Sequence, residues 1–291
     1  MYRLQSLVLM AGLVALFAIT GYWLFGWLGG AMILALAIAV NWLGVDGARD
    51  AVLRLHGARP LARHEAPGIY RLVEDLAERA GIPMPVLAIY PSQAPNAFAI
   101  AARRRDPVIA VSTELLRLLP PREVRGVLAH EVTHLRNKDS ALSLMAGVFT
   151  QVIGVLSQTI GLLLFLGLLL GALPGQQLWP ALLVALVAPA LATLLQAGLQ
   201  RTRERLADLE AARLTGDPRG LAAALHRLQQ YSRYLRGWLG RFRFLYTADT
   251  DRGTSWLRTH PPTAQRVREL LALEAAWQAG SRLPAGYARV A

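Results

Sequence analysis

The chain contains no cysteine, which excludes disulfides and thiolate metal ligands and suits a cytoplasmic environment. Lysine is almost missing too: Lys138 is the only one, and the rest of the basic side is arginine. Charge of either sign is absent from residues 4–45 and again from residues 140–200. Soluble helices rarely run beyond about 25 residues without punctuation, whereas a membrane-spanning helix needs about 20 apolar residues. Each uncharged stretch therefore holds two passes with a tight turn between them. The first stretch is also too long for a secretory signal, whose apolar region is about 7–15 residues.

The turns can be placed. Residues 21–30 mix glycine with Tyr22, Trp23 and Trp27, as in an interfacial turn within an aromatic belt. Residues 173–180 contain Pro174, Gly175 and Pro180, which break a helix. Of 31 basic residues all but Arg3 fall in segments 46–139 and 201–291, together with all 19 acids. A net charge of +12 could suggest nucleic acid, but no aromatic–basic surface motif accompanies it. The simpler account is a pair of basic segments held on the cytoplasmic side of an anionic leaflet. The expected organisation is a transmembrane hairpin (1–45), a cytoplasmic segment (46–139), a second hairpin (140–200) and a second cytoplasmic segment (201–291), with both termini cytoplasmic and the lipid bilayer as a partner.

Within the first cytoplasmic segment, residues 68–80 read as an amphipathic helix closed by Gly81 and Pro83. Residues 86–90, 97–101 and 108–111 read as short strands, the last two joined by a charged turn at 103–106. Ser112 and Thr113 cap a short helix that Pro120 and Pro121 end, and those prolines open the next helix. In the second segment, helices are expected over 201–214, from Asp217-Pro218 to about 236 with a stop at Gly237, and over 264–278. Residues 237–255 give no clear signal.

The chemistry lies in His130-Glu131-Val132-Thr133-His134. Two histidines four apart on a helix share one face and can reach one zinc ion, while the adjacent glutamate faces a water there. A catalytic zinc usually keeps three protein ligands, so a third His, Asp or Glu is required. If the motif helix continues into the third span, His134 lies about 9 Å below the uncharged stretch and Glu204 about 6 Å beyond its far end. The antiparallel hairpin then brings His130, His134 and Glu204 to one height near the membrane surface. Glu204 is flanked by Arg203 and Arg205, which taken alone favour a solvated helix charge over a ligand; the hairpin geometry tips it to the ligand reading. Asp208, one turn on, can accept a hydrogen bond from a ligand histidine. Glu131 is expected to act as general base toward a peptide carbonyl. His260, held before two prolines, is a candidate oxyanion donor and equally a packing histidine. His56, His64 and His226 read as surface or packing residues.

These residues resemble the HtpX family of membrane zinc endopeptidases, related to the CAAX prenyl endopeptidases. The likeness covers the two hairpins, the zinc motif with Asn137 and Asp139, Arg203-Glu204 with Ala207-Asp208, Thr259-His260-Pro261-Pro262 with Arg266, and Asn96-Ala97-Phe98. It implies a mainly α membrane protein: four transmembrane helices and a cytoplasmic α+β gluzincin-type domain with a small β-sheet. It also implies one Zn(2+) per chain on His130, His134 and Glu204, with Glu131 as base and His260 stabilising the transition state. Asn96 and Ala97 would present a strand edge to substrate backbone. The substrates it implies are misfolded or damaged membrane proteins and unfolded polypeptides, cut at the cytoplasmic face of a bacterial inner membrane. The family commonly has Thr-Gly after Asn-Ala-Phe-Ala where this chain has Ile100-Ala101, which implies a different local bend. Two other readings are a specific processing peptidase of CAAX-prenyl type, against which four spans count, and a non-catalytic zinc-binding scaffold, which would be free to lose Glu131.

Overall fold

The computed structural model describes residues 1–101, 105–171, 175–239 and 263–279. Its first element, α1 (Tyr2–Leu55), is a helix folded on itself at Gly26, where φ is 67° and ψ −173°. Only glycine adopts that region readily. A Cβ on Gly30 would lie 2.9 Å from the Tyr22 nitrogen, and one on Gly21 would lie 3.1 Å from the Gly30 Cα. On a straight helix those two glycines would stand about 13 Å apart, so the backbone reverses between them and the arms pack directly. This is the first hairpin, with its turn inside the glycine–aromatic segment.

The second apolar pair is α5 (Asp139–Leu169) and α6 (Gly175–Thr215). Leu13 and Phe17 of α1 pack against Ala146, Phe149 and Ile153 of α5 and Ala188, Ala192 and Leu199 of α6. The Phe17 and Phe149 rings sit 4.7 Å apart at their core. The other faces are apolar and uncovered: Leu162, Leu163, Phe165, Leu168 and Leu169, with Leu183 and Leu186, are all exposed. Apolar surface on that scale needs a non-aqueous neighbour. Among the described residues, Tyr2–Tyr22, Asp139–Leu169 and Leu182–Thr215 are long and apolar enough to cross a membrane. Three such segments, not four, meet that measure; the second arm of α1 is helical but is not one of them.

The remaining elements form a small α+β body below the hairpins. Its sheet has the order β1 (Arg59–Pro60), β2 (Val86–Tyr90), β4 (Val108–Ser112), β3 (Ala97–Ile100). β2 and β4 are parallel, while β1 and β3 run antiparallel at the two edges. β4 is buried along its whole length, as a central strand of a covered sheet should be. Around it lie α2 (Pro67–Ala80), α3 (Thr113–Leu118), α4 (Pro121–Arg136), α7 (Pro218–Leu239) and α8 (Thr263–Gln278). Leu76, Ile109, Leu115, Leu128, Leu209, Leu221 and Leu273 form one core drawn from most of these elements.

Local signals act as their chemistry dictates. Gly81 closes α2 in the left-handed conformation, and Ser112 Oγ accepts from the Leu115 N–H to cap α3. Asp217 Oδ1 accepts from the Gly220 N–H at the start of α7. Three expectations fail. α7 runs through Gly237 to Leu239. Pro180 lies inside α6 rather than in the break before it, while residues 172–174 are outside the described residues. The motif helix does not continue into the third span: α4 ends at Arg136, Lys138 turns with φ 55°, and α5 starts afresh at Asp139. A continuous helix would place Asp139 about 140° around the axis from His134. The turn brings it back instead.

Candidate metal centre

α4 is buried on the face that meets the core, and His130 and Glu131 are buried with it. The helical spacing stacks the imidazoles as the sequence requires: Nε2 of His130 and Nε2 of His134 are 3.0 Å apart. Glu204 enters from α6, its Oε2 3.7 Å from His130 Nε2 and its Oε1 3.8 Å from His134 Nε2. One ligand atom from each of the three residues lies within 4.8 Å of the others. The hairpin α5–α6 thus delivers Glu204 to the motif despite the sequence distance. Thr133 Oγ1 donates to the His130 carbonyl at 2.8 Å and contacts the Ala207 carbonyl at 3.4 Å, tying α4 to α6 at this level.

Each imidazole is oriented from behind. His134 Nδ1 is 2.6 Å from Asp139 Oδ2, and His130 Nδ1 is 3.0 Å from Asp208 Oδ1. A carboxylate at Nδ1 selects the Nδ1–H tautomer and leaves a lone pair on Nε2. Two such lone pairs and a carboxylate then converge with no proton between them, a donor set that a divalent cation satisfies. The residues fit a bound metal.

The carboxylates are anchored in turn. Arg266 of α8 grips Asp208 with two bonds of 2.7 and 2.6 Å, and its Nη1 is 3.1 Å from Glu204 Oε2. Burial opposes the Arg266 charge, but the Asp208 and Glu204 carboxylates outweigh it and hold its pKa above the ordinary arginine value. Arg203 pairs with Asp139 and donates to the Asn137 carbonyl at 3.1 Å. The arginines beside Glu204 are therefore engaged elsewhere, Arg205 with Glu269 at 3.6 Å, and Glu204 is a buried group, not a solvated helix charge.

Glu131 lies beside the cluster. Its burial pushes its pKa up, the two histidines pull it down, Glu204 raises it, and the Ala99 backbone N–H donates to it. Ala99 belongs to β3, the free edge of the sheet. Asn96 extends that strand: its N–H donates to Ser112 Oγ at 2.8 Å and its carbonyl accepts from the Ser112 N–H at 2.9 Å. Asn96 and Ala97 thus lie on the edge strand that also carries the Ala99 N–H facing Glu131. His260 lies outside the described residues. His56 packs on Tyr90 and Phe98, His64 is exposed, and His226 bonds Gln230 on the surface.

Sequence reasoning did not assign Asp139 as the partner of His134 or Arg266 as the clamp on Asp208. Both were visible only as matches to a pattern. The geometric signal for Asp139 is the left-handed turn at Lys138, which no local glycine announces.

A convergent His–His–Glu cluster with a buried glutamate beside it, at the end of apolar helices, defines a membrane-bound metallopeptidase. The model of Peptidase family M48 matches residues 63–274, and the chain belongs to that family. It is 35% identical to a protease HtpX homolog of Nostoc punctiforme over 281 residues, covering 94% of this chain and 96% of the relative. It is 36% identical to one of Pyrococcus furiosus over 270 residues, covering 90% and 93%. Among solved structures it resembles the crystal structure of S. mikatae Ste24p, with a TM-score of 0.51 and 17% identity. That match covers 91% of this chain but 64% of the longer one, so it speaks to the fold alone.

Proposed function

We propose that this protein is a zinc endopeptidase that cuts misfolded or damaged membrane proteins and unfolded polypeptides at the cytoplasmic face of a bacterial inner membrane. The carrying observation is the His130, His134 and Glu204 cluster with Glu131 beside it, set at the open end of the α5–α6 hairpin. Imidazole and carboxylate ligands without thiolates suit zinc, which keeps three such ligands and an open position. When bound, the ion polarises the scissile carbonyl and acidifies a water. Glu131 takes the proton from the attacking water and hands it to the leaving amine. The outward edge of β3 binds substrate backbone at Ala97, beside the exposed Asn96, a contact that does not read side chains. His260 donates to the developing oxyanion. The second arm of α1 is the fourth span, so that 1–45 and 140–200 lie in the bilayer and 46–139 and 201–291 form the cytoplasmic part. The arginine excess of those two segments supports that orientation.

The test is degradation of casein and of an unfolded membrane protein by the zinc-loaded chain in detergent. Glu131→Gln should retain zinc and lose about 10²–10⁴-fold in kcat, the usual contribution of a general base. Equal cleavage by wild type and Glu131→Gln refutes the assigned base. Zinc-loaded protein that cleaves neither substrate would instead support the scaffold reading.

A further inference from the structure

The edge strand carries a contact that the catalytic reading leaves unused. In an antiparallel pair, the N–H and C=O of one residue point to the same side and those of the next residue to the other. Asn96 faces β4, since its carbonyl accepts from the Ser112 N–H. Ala97, Ala99 and Ala101 therefore turn their backbone groups outward, to the side where a further strand would pair. On that side Ser140 intervenes. Its hydroxyl donates to the Ala99 carbonyl at 3.2 Å and accepts from the Ala101 N–H at 3.3 Å. One hydroxyl thus occupies the two groups that the next step of an added strand would use.

We propose that Ser140 is a positioning residue for substrate: it ends the binding edge of β3 at Ala99 and sets the register in which a substrate strand pairs there. This rests on reading β3 as the substrate-binding edge. Ser140 directly follows Asp139, whose carboxylate holds His134. The first turn of α5 therefore fastens both a metal-binding imidazole and the strand that grips the substrate. The Ala99 N–H faces Glu131, and Ala97 is bonded to no side chain among the described residues. The open pairing position is Ala97, on a strand that Ser140 ties to α5 and the Ala99–Glu131 contact ties to α4. Without the hydroxyl, the edge loses its tie to α5, and a substrate strand can pair in a register displaced by two residues, the repeat that keeps its side chains on the same faces.

The experiment uses the full-length zinc-loaded protein in detergent, with KM and kcat on a quenched-fluorescence peptide and cleavage sites of unfolded casein mapped by mass spectrometry. Ser140→Ala should raise KM about three- to tenfold, the loss of one neutral hydrogen bond. It should leave kcat within about twofold, as for an interaction equal in ground and transition states, and add cleavage sites two residues from the wild-type ones. Ser140→Thr keeps the hydroxyl and should restore the wild-type pattern. Wild-type KM and sites in Ser140→Ala overturn the proposal, and so does equal damage with zinc loss in both variants, which marks a merely structural role. Ala97→Pro separates the two readings, because proline is tolerated on an outward edge and removes only the outward N–H. If it raises KM while Ser140→Ala does not, the edge stands and the Ser140 role falls. If it changes neither KM nor sites, the edge reading itself falls.

Discussion

Each metal-binding histidine leans on a different carboxylate, and the two carboxylates are anchored differently. Asp139 is held by Arg203, which keeps a second partner in the Asn137 carbonyl. Asp208 is held by Arg266, whose other neighbour is the ligand Glu204 itself. Asn in place of either aspartate should lower metal affinity about 10–100-fold, the usual effect of losing an orienting partner. The two losses should not be equal. In Asp208→Asn the buried Arg266 turns its full attraction on Glu204 and competes with the cation, whereas in Asp139→Asn the arginine retains a carbonyl that ligates nothing. Competition with a chromogenic chelator should therefore rank Asp208→Asn as the weaker binder; the reverse order would mean that Arg266 does not bear on Glu204. The clustering of these three side chains is legible because His130 and His134 are a matter of helical spacing and Glu204 follows from a hairpin returning to its starting height. Arg266 was not legible as a clamp, since nothing local ties α8 to α6.

The motif helix is placed by its contacts with neighbouring helices. α4 crosses α7 so closely at Gly126 that a Cβ there would stand 2.9 Å from both the nitrogen and the Cα of Leu221. A backbone cannot swing aside as a side chain can. Gly126→Ala should therefore cost about 1–3 kcal/mol, the range for overpacking a close-packed interior, and should weaken zinc binding because His130 is one turn further on. Gly68 in α2 has nothing within 4 Å of a built Cβ, so Gly68→Ala should instead stabilise by about 0.5–1 kcal/mol. Urea melts of both variants check the contrast, and a Gly126→Ala midpoint at the wild-type value would show that α4 and α7 can separate freely. A glycine inside a helix signals close approach, but the sequence does not say to what. The break between α4 and α5 had no signal at all. Residues 121–169 carry no proline after the first turn and no glycine near 138, and the turn exists because Asp139 and the Asn137 carbonyl have tertiary partners to meet.

At the scale of the whole molecule, the first hairpin is joined to the metal centre by a polar chain. Arg3, in the first turn of α1, donates to Glu210 Oε1 at 2.9 Å, and Glu210 Oε2 accepts from Asn137 Nδ2 at 2.6 Å. Asn137 in turn accepts from Arg203, which pairs with Asp139 behind His134. Arg3 is the one base that the charge pattern leaves outside the two basic segments, and the structure gives it this partner. The two ends of the chain differ in weight. The Arg3 side chain is 56% exposed and that of Glu210 only 3%. An exposed cation contributes about 0–1 kcal/mol to such a pair, so Arg3→Ala should weaken metal binding by about fivefold at most. Glu210→Ala strips the half-buried Asn137 side chain of its acceptor, a loss of about 1 kcal/mol, and should release the turn that aims Asp139. The same chelator competition, run on both variants in detergent, should find Glu210→Ala the more damaging by a clear margin. If Arg3→Ala matched it, the hairpin's hold on the metal centre would run through the cation itself and not through the buried carboxylate that α6 contributes.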